Sequence, residues 1–144
     1  MKFYLILLSL LFSCNCIAQK QELQRTIEQF FEGFHQKDSI KMKLVCSDKM
    51  ILQSISENSI KGNKLSDESV KDFYKSIATI PTNLKFQEKI LSYSIQIDGS
   101  MAHVWTPYEF YVNDKLSHSG VNAFTLFKEN DKWKIIYLID TRRK

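Results

Sequence analysis

The stretch Ala102-His-Val-Trp-Thr-Pro-Tyr-Glu-Phe-Tyr-Val-Asn-Asp-Lys-Leu-Ser-His-Ser-Gly-Val-Asn-Ala-Phe124 reads as two β-strands and the turn between them. Aromatic and β-branched residues crowd both sides of Asn113-Asp114, a pair suited to the left-handed backbone of a two-residue hairpin loop. The same pattern recurs at Asp98-Gly99 and at Asn130-Asp131. Leu84 to Arg143 therefore predicts four long antiparallel strands joined by three tight turns. Two residues inside those strands are irregular. Pro107 removes a ladder donor and Gly120 removes a side chain, and both residue types mark bulges or bends. Counted back from a two-residue loop at Asn113-Asp114, Pro107 falls opposite Gly120, so the sheet is expected to curl along one line.

Working outward, Leu23, Ile27, Phe30, Phe31 and Phe34 recur at helical spacing on one face. Three phenylalanines on a single stripe, each worth roughly 2–3 kcal/mol when buried, need a large partner surface. The sheet is the candidate, and Gly33 beside Phe34 would permit a close backbone approach. Asp38 to Val45 predicts a short second helix with Ile40, Leu44 and Val45 inward; Met50 to Ile55 predicts a strand; Asn58 to Lys64 predicts a loop. A third helix is expected with Ser66 as N-cap and Leu65 and Val70 as hydrophobic staple. Val70, Phe73, Tyr74, Ile77 and Ala78 would form its buried face, and Pro81 would stop it. The class is α+β: a strongly bent antiparallel sheet wrapped around an N-terminal helix, a cone with an open mouth.

The chain has 144 residues and a formal net charge of +4. Its basic residues are interspersed with acids, and only Arg142-Arg143-Lys144 clusters, which argues against a nucleic-acid surface. Residues 1–18 have the form of a cleaved export signal: Lys2, the apolar run Phe3 to Phe12, then Cys16-Ile17-Ala18 before the cut. The mature part, 19–144, is then one domain with a periplasmic or secreted destination. Leu11-Phe12-Ser13-Cys14 offers an alternative, lipid attachment at Cys14, and membrane association is expected only in that case. Cleavage after Ala18 leaves Cys46 alone, so no internal disulfide is expected, and a lone cysteine flanked by Val45 reads as a small buried hydrophobe. No His or Cys pair stands at metal-ligand spacing, no glycine-rich phosphate loop is present, and no cofactor is implied.

Candidate pocket residues follow from the hairpin registers. The two-residue loop at Asn113-Asp114 sets Glu109 opposite His118 and Trp105 opposite Asn122, all on one face. Tyr108 alternates to the other face unless a bulge at Pro107 turns it. The last hairpin admits two registers. In one, Gly120 faces Thr141, and Tyr137 and Ile139 share the His118 face. In the other, His118 faces Arg142 and Gly120 faces Asp140, around the space that Gly120 leaves open. A His118–Asp140 pair would form a general base, with Tyr108 or Tyr137 orienting a carbonyl oxygen. Alternatively Asp140 and Arg142, two apart on one strand, pair with each other. His35, at the end of the first helix, is expected to be solvated, and His103 exposed or partly covered.

Taken together, Ala102 to Val112, Leu116 to Phe124, Trp133-Lys-Ile and Asp140-Thr-Arg-Arg resemble the NTF2-like superfamily, in its SnoaL-like, or lumazine-binding, branch of small exported bacterial proteins. One departure is Ser119, where that branch often carries Cys after the His. The resemblance implies a pocket in the cone, a small-molecule ligand and a homodimer through the sheet; it does not imply a reaction. Three functions are compatible with it: binding of a small, planar or apolar molecule; an isomerase, cyclase or dehydratase; or a non-catalytic dimerisation and protein-interaction module.

Overall fold

The computed structural model describes residues 2–58, 60 and 62–144, with side chains described from residue 17 onward. The side chains of Phe3 to Phe12 and of Cys14, on which the export and lipidation readings rest, lie outside the described residues. Ten elements follow in order: α1 (Lys2–His35), α2 (Ser39–Lys43), β1 (Cys46–Glu57), β2 (Lys64–Glu68), α3 (Val70–Ala78), β3 (Phe86–Ile90), β4 (Ser94–Asp98), β5 (Met101–Val112), β6 (Lys115–Glu129) and β7 (Lys132–Arg143). The strands form one seven-stranded curled sheet in the order β2-β1-β7-β6-β5-β3, with β4 also on β5. Every pairing is antiparallel except that of β1 with β7. No helix among the described residues is long and apolar enough to cross a membrane.

The predicted aromatic stripe lies inside the curl. Leu23, Ile27, Phe30 and Phe31 are buried, and Phe30 and Phe31 meet Phe124 of β6 edge-on at 6.0 and 6.1 Å between ring centroids. Phe34 gathers Phe73 from α3, Phe86 from β3 and Phe110 from β5, at 6.5, 5.0 and 6.4 Å. The loop into α2 brings Met42 back under α1. A Cβ on Gly33 would stand 2.8 Å from Met42 Cγ, 2.9 Å from its backbone nitrogen and 3.1 Å from the Asp38 carbonyl oxygen, so the glycine is what lets the two helices touch.

Several predicted details are corrected. In α2 the buried residue is Met42, while Ile40 and Leu44 are 72% and 67% exposed; Asp38 caps the helix by accepting from the Ile40 and Lys41 N–H groups, and that start rotates the short helix away from the expected face. Ser66 is not an N-cap. Lys64–Glu68 pairs with β1 as a strand, and the cap is Ser69, whose hydroxyl accepts from the Asp72 N–H. Leu65 and Ala78 are exposed as a result. The segment read as one strand before Asp98 is two, β3 and β4, laid end to end along β5. The break falls beside Pro107, which has no N–H to donate to an edge strand.

Asn113, Asp114, Asn130 and Asp131 all have positive φ, the signature of two-residue loops at both predicted sites. The third loop is Gly99-Ser100, one residue later than expected, because Asp98 pairs with Met101 and the left-handed position belongs to Gly99. Beyond the loops, two bulges reset the registers. Phe110 pairs with His118 although Tyr111 pairs with Leu116, so Ser117 is the extra residue. Leu126 pairs with Ile135 although Thr125 pairs with Tyr137, so Ile136 is extra on β7. Consequently Pro107 faces Val121, and Gly120 faces Tyr108.

Gly33→Ala tests the close approach. Alanine normally stabilises a helix interior by about 1 kcal/mol over glycine. Here we expect the sign to invert, with a loss of about 1–3 kcal/mol in urea unfolding as Met42 is displaced.

Candidate functional site

The two bulges decide which side chains look into the cone. Thr106, Tyr108 and Phe110 of β5, Asn122 of β6, and Asp140 and Arg142 of β7 share the inner face with Glu88 of β3 and Glu68 of β2. One polar row crosses the sheet: Ser54 pairs with Asp140, Asp140 with Asn122, and Asn122 with Thr106, and all four are buried. On one side of this row lies the hydrophobic core around Leu52, Leu138, Phe124 and Val104. On the other lies the mouth.

Neither predicted register for the last hairpin holds. Ser119 pairs with Arg143 and Asn122 with Asp140, one step from the two-residue-loop register and two from the longer-loop alternative, because Ile136 bulges within the strand. Since that differs from the alternative by an even number, Asp140 and Arg142 keep the face of Gly120. The other face takes Trp105, Glu109 and Tyr137. Trp105 pairs with Ala123 rather than Asn122 and is 46% exposed; Glu109 pairs with Ser119 and accepts from the Tyr111 hydroxyl at 2.7 Å; the Tyr137 hydroxyl donates to Gln53. These three predicted pocket residues therefore do not line the cone. Tyr108 does, turned inward by the bulge at Ser117 and not by one at Pro107.

The space expected above Gly120 is filled by protein. A Cβ there would stand 1.8 Å from the Thr141 carbonyl oxygen and 2.8 Å from the Tyr108 ring and hydroxyl. The Tyr108 phenol crosses that gap, 2.9 Å from the Thr141 carbonyl oxygen and 3.2 Å from Asp140 Oδ2. Burial, followed by the Asp140 and Glu88 charges, raises the Tyr108 pKa far above its ordinary range, so it stays a phenol. Asp140 is claimed by Arg142, whose Nε donates to Oδ2 at 2.7 Å. The within-strand pairing is thus the arrangement present, and Arg142 also approaches Glu68 at 3.6 Å. His118 stacks on Phe110 at 4.8 Å and has Nδ1 3.2 Å from the Ser117 hydroxyl; no hydrogen bond joins it to Asp140. Burial and then the Arg142 charge lower its pKa.

Two acidic residues of the site were not anticipated. Glu88 sits between Phe86 and Ile90, and its Oε1 accepts from Asn122 Nδ2 at 2.6 Å. Although a sliver of it remains accessible, protein surrounds it, and burial pushes its pKa up to about 7; Asn122 opposes that shift and the Asp140 charge adds to it. Its alternation with Phe86 and Ile90 was the available signal: a carboxylate in step with the apolar face of a strand must look inward. Glu68, two residues after the expected N-cap Ser66, lies instead on strand β2 opposite Leu52. His35 is not solvated either. Its Nε2 accepts the Glu88 N–H at 2.9 Å, its ring stacks on Phe31, and burial lowers its pKa. The thiol of Cys46 is buried beside Tyr74, and burial pushes its pKa up to about 11, which fits a packing role.

Between these groups lies a cavity of about 70 Å³. Phe30, Phe31, Phe34 and Phe73 make one wall; Glu88, Asn122, Asp140, Arg142 and Glu68, together with Leu52 and Leu138, make the other. Arg142 and Glu68, the more exposed members, mark its mouth.

No family model matches the sequence, and no curated protein matches it. Solved structures match the fold throughout. An NTF2-like protein of unknown function from Shewanella baltica superposes with a TM-score of 0.66 at 16% identity, covering 89% of this chain and 96% of that one. An NTF2-like protein from Cytophaga hutchinsonii gives 0.70 at 11% identity over 87% and 98%. A Streptomyces avermitilis protein of the NTF2-like family, proposed to be a dehydratase, gives 0.63 at 12% identity over 86% and 95%. The architecture is the NTF2-like α+β cone.

Glu88 makes stability fall with pH in a defined window. Its folded pKa of about 7 lies above the ordinary 4.5, so the native state holds the proton more tightly than the unfolded chain does. The contribution is complete below pH 4.5 and is lost as pH rises through 7. Glu88→Gln should flatten this slope and stabilise the protein at pH 8 by on the order of 2–3 kcal/mol at most, measured by urea unfolding across pH.

Proposed function

We propose that the domain binds a small molecule inside the cone, its apolar body against the α1 and α3 phenylalanines and its polar group against Glu88, Asn122 and Arg142. The observation that carries this reading is the cavity itself, with one aromatic wall and one polar wall. Its 70 Å³ is well below the roughly 300–1,000 Å³ of a drug-sized pocket, so the guest has only a few heavy atoms. A bicyclic ring such as lumazine would enter only if the aromatic wall moved. Screening fragments by thermal shift should raise the melting temperature for small polar-headed guests, and Asn122→Leu should remove the gain. Stabilisation by lumazine or a flavin, with none from fragments, would refute the size limit; no stabilisation by any class would refute the binding reading.

One observation favours a second reading, an acid–base enzyme of the isomerase or dehydratase kind. Glu88 can accept and return a proton near neutral pH, and Arg142 can polarise a carbonyl. Here the base is Glu88 rather than His118 with Asp140, whose carboxylate is committed to Arg142. Under this reading Glu88→Gln abolishes turnover with binding retained, whereas His118→Ala lowers it only slightly.

The outer face supports a homodimer through the sheet. Trp105, Ile51, Phe127 and Met101 are exposed there around Ala123, Thr125 and Tyr137, a broad apolar surface of the kind that marks interaction sites. Trp105→Glu should shift the sedimentation mass from dimer to monomer with the fold intact; a wild-type monomer at high concentration would refute it. Export rests on the pattern of residues 1–18, with the lipidated Cys14 form as its alternative, and mass spectrometry of the mature N-terminus distinguishes them.

A further inference from the structure

We infer that the guest of the cone is a small organic cation, from a primary amine to a quaternary ammonium, held by Glu88 and the surrounding phenylalanine faces. This rests on the binding reading above and names its ligand class.

Charge bookkeeping within the cavity points to a cation. Its wall carries three carboxylates, Glu68, Glu88 and Asp140, against one guanidinium, Arg142. Arg142 is already bonded to Asp140 and lies 3.6 Å from Glu68. Glu88 forms no ion pair: its hydrogen-bonding partner is the neutral Asn122 amide, and Arg142 acts on it only through space. A carboxylate enclosed without a counter-charge is costly, and a guest bearing a positive charge would supply the missing partner. An acid would add a negative charge to this wall, and a neutral guest would leave Glu88 uncompensated.

The opposite wall suits the same guest. Phe30, Phe31, Phe34 and Phe73 line the cavity, and aromatic faces attract cations through the ring quadrupole. Phe30 and Phe31 are nearly perpendicular at 5.4 Å, as are Phe31 and Phe34 at 6.3 Å, and Phe73 stacks on Phe34 at 6.5 Å. An aromatic wall opposite a carboxylate is the combination that recognises alkylammonium groups. The volume, about 70 Å³, limits the cation to a few heavy atoms.

Binding should depend on pH. A bound cation favours the ionised form of Glu88, so uptake above neutrality needs no proton release, while below it one proton leaves. The other groups facing Glu88 do not change charge from pH 6 to 8 in a way that would mimic this. Burial lowers the pKa of His35 on α1 and of His118 on β6, so both tend to be neutral there. Tyr108 on β5 remains a phenol. Arg142 on β7 stays charged, and it is paired with Asp140 on the same strand and approaches Glu68 on β2.

The test titrates the full chain with trimethylammonium, tetramethylammonium and the neutral isostere tert-butanol, following the phenylalanine ring resonances by NMR. The expected result is saturable binding of both cations, at least tenfold tighter than tert-butanol, strengthening about tenfold from pH 6 to 8. Glu88→Gln should lose that preference and its pH dependence while still binding tert-butanol. Equal affinity for the neutral isostere, or a cation preference that survives in Glu88→Gln, would overturn the inference and leave the binding reading standing. Binding of neither cation nor isostere at any pH would overturn both.

Discussion

The phenol of Tyr108, lying across Gly120 to reach β7, is the contact on which the shape of the cone depends. It joins three strands at one height: the ring comes from β5, passes over the bare Cα on β6, and ends on the Thr141 carbonyl and the Asp140 carboxylate of β7. An aromatic ring laid over a strand glycine covers exposed backbone and fills the inside of a bend. Any side chain at position 120 would collide with the Thr141 carbonyl as well as with the ring, so the curl tolerates no other residue there. Once the phenol is in place, Asp140 is pinned from one side by Tyr108 and from the other by Arg142. The polar wall of the cavity is therefore an outcome of how the sheet bends.

That wall divides the interior into two kinds of space. Below the row of Ser54, Asp140, Asn122 and Thr106, apolar side chains from both sheet and helix close upon one another, with Leu126, Ile135, Leu23 and Ile27 fully buried. Above it, Arg142, Glu88 and Glu68 face Phe34 and Phe73 across a small void. Buried polar groups ordinarily find partners, and most here do; the Thr106 hydroxyl, buried without a protein partner, is an exception beside Asn122. The cost of holding a carboxylate at Glu88 belongs to the same region. A fold that places an incompletely compensated charge and an empty volume side by side forgoes stability at the position where a guest would restore it.

Much of this architecture was legible from residues whose chemistry permits few alternatives. Asn-Asp pairs between β-rich runs had to be turns because few other side chains accept the left-handed backbone. The phenylalanine spacing of α1 had to face a core because no solvent-exposed helix carries that load. Legibility ended at Ser117 and Ile136. Neither residue announces a bulge, yet each shifts a register by one and so exchanges the faces of every residue beyond it. That is why Tyr108, Asn122, Asp140 and Arg142 stand on the inner face of the sheet while Trp105, Glu109 and Tyr137 stand on the outer one. Glu88 escaped notice for a different reason. Gln87, Glu88 and Lys89 look like a solvated run until Phe86 and Ile90 fix their alternation.

The position of Glu88 also explains why the edge of the sheet matters to the site. β3 is an edge strand paired only with β5, and such strands are held by few interactions of their own. Two contacts fasten this one to the rest of the cone at Glu88 itself: its N–H donates to His35 at the end of α1, and its carboxylate accepts from Asn122 on β6. The first requires a neutral imidazole, because a doubly protonated ring has no acceptor. The second is strongest when the carboxylate is ionised. Both conditions are met together only above the titration of His35, in the range where Glu88 gives up its proton. The anchoring of the edge strand and the charge of the cavity are thus set by the same residue, and a guest that fixes the ionised form of Glu88 would tighten both at once.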